Sequence, residues 1–138
     1  MSQGKGRVLA PHTKLLVVED EPDIANALAT YAKAKGYVPI VAQNGLLAVE
    51  IAKAERPQVI LLDISLPGMD GRDVYVALEK AGVTQGAVVI FTTARDSQSD
   101  RILGLELGAA DYETKPLHLQ VLFQKIERLL EKRHAGEI

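Results

Sequence analysis

The chain has 138 residues, of which 47% are hydrophobic and 25% charged, with a formal net charge of −2 at pH 7. That length suits one domain and that composition a buried core of ordinary size. So balanced a charge provides no global field for nucleic acid or an anionic membrane. The lack of Cys excludes disulfides, thiol catalysis and Cys-based zinc sites, and no apolar run approaches the ~20 residues of a membrane span.

In chain order, residues 1–12 lack the long apolar stretch of a signal peptide and read as a loose tail on a cytoplasmic protein. Residues 15–18 form a short, branched apolar run, and so do 38–42, 59–62 and 87–91. None alternates apolar with polar, the pattern of strands covered on both faces in a parallel sheet. Between them lie segments of helical period. Ile24, Ala27, Leu28 and Tyr31 form the first stripe, with Pro22 in its opening turn and Gly36 as its C-terminal stop. Ala48, Ile51 and Ala52 form a second, with Asn44 as N-cap. Val74, Ala77, Leu78 and Ala81 form a third, stopped by Gly82.

After a polar loop, a fourth helix carries Ile102 and Leu105 and ends near Gly108. "DYETKP" supplies a weak fifth strand, and Leu119, Leu122, Ile126 and Leu129 stripe the last helix. Five β-α repeats predict an α/β domain with a parallel sheet and right-handed crossovers. Pro39 inside the second strand places that strand at an edge. The strand order 2-1-3-4-5 satisfies this, and it opens a crevice outside the C-termini of strands 1 and 3.

That edge collects the reactive residue types. Strand 1 ends in Glu19, Asp20 and Glu21, strand 3 in Asp63, strand 4 in Thr92 and Thr93, and strand 5 in Lys115 and Pro116. Singly, each has an ordinary reading as a helix-start acid, a loop starter, a strand residue or a solvated lysine. Together they make a phosphoryl site. Clustered carboxylates repel and raise one another's pKa, and Mg²⁺, a hard cation with oxygen ligands, relieves that repulsion. Asp63 then serves as a nucleophile, as carboxylates do in aspartyl phosphates. Lys115 supplies further positive charge, and Thr93 a hydroxyl to the phosphoryl group.

"LLVVEDEPDI", "VILLDISLPGMDG", "VVIFTTARD" and "GAADYETKP" resemble the four signature stretches of response-regulator receiver domains, in order, over residues 13–134. The resemblance implies a flavodoxin-like (βα)5 fold at 13–134, flanked by tails at 1–12 and 135–138. It implies phosphorylation of Asp63 by a histidine kinase or phosphotransfer protein. Glu19 and Asp20 are then the acidic pair, and Asp20, Asp63 and the Ser65 backbone carbonyl the Mg²⁺ ligands. Thr93 is the switch hydroxyl, Tyr112 the switch aromatic and Lys115 the phosphoryl-binding lysine, with Lys115–Pro116 in cis. The implied activity is that of a signalling domain that phosphorylates and dephosphorylates itself, without separate substrate turnover.

Ser65 and Arg95 occupy positions that the resemblance ties to the lifetime of the phosphoryl group. "DRILGLELGAADYETKP" is similar to the winged-helix transcription-factor subfamily, in which ion pairs over helix 4, strand 5 and helix 5 join two receivers. Arg101, Asp111 and Lys125 match that pattern of homodimerisation. Ala110 and Val121 replace acidic members of it, and Leu117 replaces an aromatic as a packing change. His12, His118 and His134 are scattered surface residues. Lys125, Arg128, Lys132 and Arg133, interleaved with Glu127 and Glu131, read as a solvated face with i,i+4 pairs.

Two rival readings remain. A haloacid-dehalogenase-type phosphohydrolase also uses an aspartyl phosphate on a parallel sheet, but it needs a second carboxylate where this chain has Ser65, and a longer insertion for a substrate cap. A receiver-like module that no longer takes phosphate would not need the whole site that is present here.

Overall fold

A computed structural model describes residues 12–94 and 107–136. Its strands are β1 (Lys14–Val18), β2 (Val38–Ala42), β3 (Val59–Asp63), β4 (Val88–Thr93) and β5 (Asp111–Thr114). Helices α1 (Pro22–Ala34), α2 (Gly45–Glu55) and α3 (Gly71–Lys80) follow the first three strands, and a last helix, Leu119–His134, follows β5. The expected fourth helix, with Ile102 and Leu105, lies outside the described residues, as do Arg95 and Arg101.

All strand pairs are parallel, in the order β2-β1-β3-β4-β5. The doubly wound, flavodoxin-like sheet predicted from the alternating runs is therefore the fold. Pro39 sits in β2, which pairs only with β1, so its missing N–H costs no ladder bond on the open edge.

Alternation of side chains divides the core between the two faces of the sheet. Leu16, Val18, Ile60, Leu62, Val89 and Phe91 pack against residues of α2 and α3. Leu15, Val17, Val59, Leu61, Val88 and Ile90 pack against α1 and the last helix. Strands β1, β3 and β4 are thus covered on both sides, which is why their sequences run apolar without a break.

The helix signals hold at the ends. Pro22 opens α1, the Asn44 side-chain Oδ1 accepts from the Leu47 N–H at 2.9 Å, and Gly36 and Gly82 follow their helices with φ of 100° and 78°. The buried faces are rotated from the predicted stripes. In α1 the buried residues are Ala25, Leu28 and Ala32, while Ala27 faces out. In α3, Tyr75 joins Val74 and Leu78 in the core, with Ala77 and Ala81 half-buried. In the last helix Phe123 and Leu130 are buried with Leu122 and Ile126, while Leu119 and Leu129 are peripheral. A short 3₁₀ turn at Val83–Gly86, not foreseen, leads into β4.

The last helix also departs from a simple solvated face. The Lys125 ammonium reaches back to Asp111 Oδ2 at 3.2 Å and to Glu113, and contacts the Tyr112 carbonyl at 3.5 Å. Arg133 donates to the carbonyls of Thr84 and Gln85. Both cations tie the helix to neighbouring elements.

Candidate functional site

Glu19, Asp20, Asp63, Ser65, Thr93 and Lys115 lie at or just beyond the C-terminal ends of the strands, at the edge where β1 and β3 are neighbours, while Tyr112 lies within β5. Asp63 is the last residue of β3, paired with Thr92 of β4, and the Ile64 N–H continues the ladder to the Thr92 carbonyl at 2.9 Å. Both Asp63 and Glu19 are only 2% exposed, whereas Asp20 is open to solvent. Carboxylate oxygens of Glu19, Asp20 and Asp63 lie within 4.8 Å of one another.

Lys115 bridges the two buried acids. Its Nζ is 2.9 Å from Glu19 Oε1 and donates to Asp63 Oδ2 at 3.2 Å. Backbone donors hold the other oxygens: the Ser65 N–H donates to Asp63 Oδ1 at 2.9 Å and the Glu21 N–H to Glu19 Oε2 at 3.2 Å. Burial pushes the Glu19 carboxyl above its usual range and Asp63 adds to that, against the pull of Lys115. Burial alone would lower Lys115, but its hydrogen bond to Glu19 and the charges of Asp63 and Glu19 outweigh it, and the ammonium is held above its usual range.

Thr93 ends β4 and is buried, opposite Thr114 of β5. Tyr112 pairs with Phe91 in the same ladder and is already half-buried against the α2/α3 side of the core. The Lys115–Pro116 peptide is cis, as predicted. Leu117 packs, partly buried, on the α1 side of the core. Asp111 and Lys125, expected to reach between two receivers, pair here within one chain.

The donor set fits a divalent cation. Three carboxylates face one ammonium in a pocket of oxygen ligands, an acidic environment of the kind Mg²⁺ takes. Sequence reasoning missed the holding contacts: the Ser65 and Glu21 N–H groups, and the packing of Gly71 against the Asp63 backbone. The "PGMDG" run after Asp63 was the available signal for the last of these.

Fold and site together define a doubly wound α/β domain with an acidic crevice at the β1/β3 switch point, closed by a lysine from β5. The family model for the response regulator receiver domain matches residues 15–127, and the chain belongs to that family. It is a receiver domain of the two-component signalling type. Receiver domains of this family bind Mg²⁺ at an acidic pocket, which corresponds here to the cluster of Glu19, Asp20 and Asp63.

Solved structures agree. The Francisella response regulator 1452 receiver domain is 31% identical, with a TM-score of 0.79 over 89% of this chain and 99% of that one. The signal receiver domain of a putative Luxo repressor protein from Vibrio parahaemolyticus is 26% identical, with a TM-score of 0.83 over 91% of this chain and 95% of that one. A chain from the co-crystal structure of the Saccharomyces cerevisiae histidine phosphotransfer signaling protein Ypd1 with the receiver domain of its downstream response regulator Ssk1 is 26% identical. Its TM-score is 0.77 over 86% of this chain and 89% of that one. No helix among the described residues is long and apolar enough to cross a membrane.

Proposed function

We propose that this receiver takes a phosphoryl group on Asp63 from the phosphohistidine of a histidine kinase or phosphotransfer protein, in the cytoplasm, and changes its β4–β5 surface in response. The observation that carries the reading is the Lys115 ammonium held between Glu19 and Asp63 at the end of β3. An Asp63 oxygen forms its bond to phosphorus as the donor's P–N bond breaks, and the leaving imidazole takes up a proton. Mg²⁺, held by Asp20, Asp63 and the Ser65 carbonyl with Glu19 behind them, would neutralise charge on the transferring group. Ser65 N–H and Lys115 orient the Asp63 carboxylate beforehand, which is the positioning such transfer depends on. Lys115 then pairs with the phosphoryl oxygens, and the Thr93 hydroxyl donates to them.

A cavity of about 270 Å³ between α1 and the segment after β5 supports a macromolecular donor. Ile24, Ala27, Leu117 and Leu119 line it together with Lys115, which also contacts Asp63, so an apolar helix face seated there lies near the acceptor. The neighbour solved with a phosphotransfer protein is consistent with such a donor. The Asp111 and Lys125 pattern supports placement in the winged-helix transcription-factor subfamily, with homodimers through the β5 and last-helix face. The intrachain pairing of those residues means that dimerisation must compete with it.

The test is incubation with phosphoramidate and Mg²⁺. The chain should gain one phosphoryl mass, and Asp63→Asn should not, since the amide keeps the shape but not the nucleophilic oxyanion. Labelling of the Asp63→Asn chain at the original rate would move the acceptor elsewhere. Repeated turnover of a phosphate ester would favour the phosphohydrolase reading instead.

A further inference from the structure

Gly71 opens α3 and is buried. Its φ is not in the left-handed region, so its backbone suits any residue. What excludes a side chain is contact. A Cβ there would collide with the Asp63 carbonyl oxygen, and would lie 2.7 Å from Ile64 Cα and 3.0 Å from the Asp63 carbonyl carbon. These are backbone atoms of the residue that carries the acceptor and of its neighbour, not the ends of flexible side chains. The Gly71 N–H also donates to the Ile64 carbonyl at 2.9 Å, so the contact and the hydrogen bond fall on the same short stretch. At Gly45 and Gly108, by contrast, the nearest atoms a Cβ would meet belong to side chains, of Val74 and Met69 at Gly45 and of Tyr75 at Gly108.

We infer that Gly71 is a positioning residue for phosphoryl transfer: its lack of a side chain lets the first turn of α3 rest on the Asp63 backbone and sets how far the carboxylate projects toward Lys115. This role rests on the reading of Asp63 as the acceptor. Asp63 and its neighbour are held from three directions: the β4 ladder pairs the Asp63 backbone, the Ser65 N–H holds its carboxylate, and the Gly71 N–H holds the Ile64 carbonyl. A methyl group at 71 can be accommodated only if the end of β3 and α3 separate by roughly 1 Å to reach ordinary carbon–carbon separation. Ile64 and Ser65 move with that end, so the carboxylate and the Ser65 carbonyl shift together. A displacement of that size at reacting groups costs about 100-fold in rate.

The experiment compares the wild-type chain, Gly71→Ala and Val83→Ala with phosphoramidate at saturating Mg²⁺, at a temperature where circular dichroism shows each to be folded. Val83 is buried in the 3₁₀ turn that leads into the N-terminal end of β4, at the opposite end of that strand from Thr93, so its truncation should lower Tm without reaching Asp63. The expected result is a 10- to 100-fold loss in the maximal labelling rate for Gly71→Ala, with KM for phosphoramidate unchanged and Val83→Ala labelling at the wild-type rate. Wild-type labelling by Gly71→Ala overturns the inference, as does an equal loss in both variants. A Gly71→Ala chain that does not fold even in the cold overturns it too, because the contact would then serve folding alone. If the wild-type chain itself takes no phosphoryl group on Asp63, the reading of the acceptor fails, and this role with it.

Discussion

Lys115 and Glu19 form a 2.9 Å ion pair in which the carboxylate is 2% and the ammonium 14% exposed. The same ammonium is the cation that touches Asp63, so one lysine holds two buried acids in place. Removing it leaves two buried like charges facing each other without a counter-charge between them. Lys115→Met should therefore lower stability in Mg²⁺-free buffer by about 2 kcal/mol, below the roughly 3–5 kcal/mol of a fully buried broken pair because the site is open on one side. Added Mg²⁺ should restore more stability to the variant than to wild type. Urea midpoints with and without Mg²⁺ check this, and a variant as stable as wild type in chelator would show that the acids are already compensated.

Asp20 is the exposed member of the acidic cluster and is not among the buried residues of the core. Mg²⁺ that binds only the folded chain should raise its stability by about 1.4 kcal/mol at ten times Kd. Asp20→Ala should fold normally and lose that gain. A Tm that does not respond to millimolar Mg²⁺ in the wild-type chain would remove the metal from the site.

Lys125 grips three consecutive residues of β5. Burial alone would lower its pKa, but the hydrogen bonds to Glu113 and Asp111 outweigh it, and the ammonium titrates above its ordinary 10.5. A base whose folded pKa is raised contributes stability that is complete below the unfolded pKa and is lost as pH climbs through the folded one. Wild-type stability should therefore fall above pH 10.5, and Lys125→Met should be less stable at neutral pH but flatter across that alkaline range. Lys115 is raised in the same direction, so some alkaline slope remains in the variant. Equal slopes for the two chains in urea melts would deny Lys125 its share.

Tyr112 lies in β5 beside Phe91, and Thr93 ends β4 next to it. A phosphoryl group brings close to two negative charges and several acceptor oxygens. Thr93 should move toward it, vacating space that the half-buried ring of Tyr112 fills by turning further inward, and a partner preferring that state shifts the population. Side-chain NMR of Tyr112 with and without beryllofluoride measures this, and Thr93→Ala should abolish the change. An unaltered ring environment on beryllofluoride binding would leave phosphorylation without a readout on this face.

The sequence by itself determined the layout. Unbroken apolar runs can be buried only between two layers, a proline in the second run can lie only at an edge, and together these require the parallel order that brings Glu19, Asp20, Asp63, Thr93 and Lys115 to one crevice. Capping was equally legible, because Asn44, Pro22, Gly36 and Gly82 act on their own helices through bonds and dihedrals a few residues long. Tertiary structure alone decided what depends on distances between elements. It turned α1 so that Ala25 rather than Ala27 meets the sheet, and it brought Tyr75 and Phe123 inward. It gave Lys125 partners on β5 rather than one turn away on its own helix. It also set Gly71 against the backbone of Asp63. Helical period specifies that a stripe exists, but its rotation, and the partner a long cation reaches, are set by how closely each helix docks on the twisted sheet, which is a property of the packed whole.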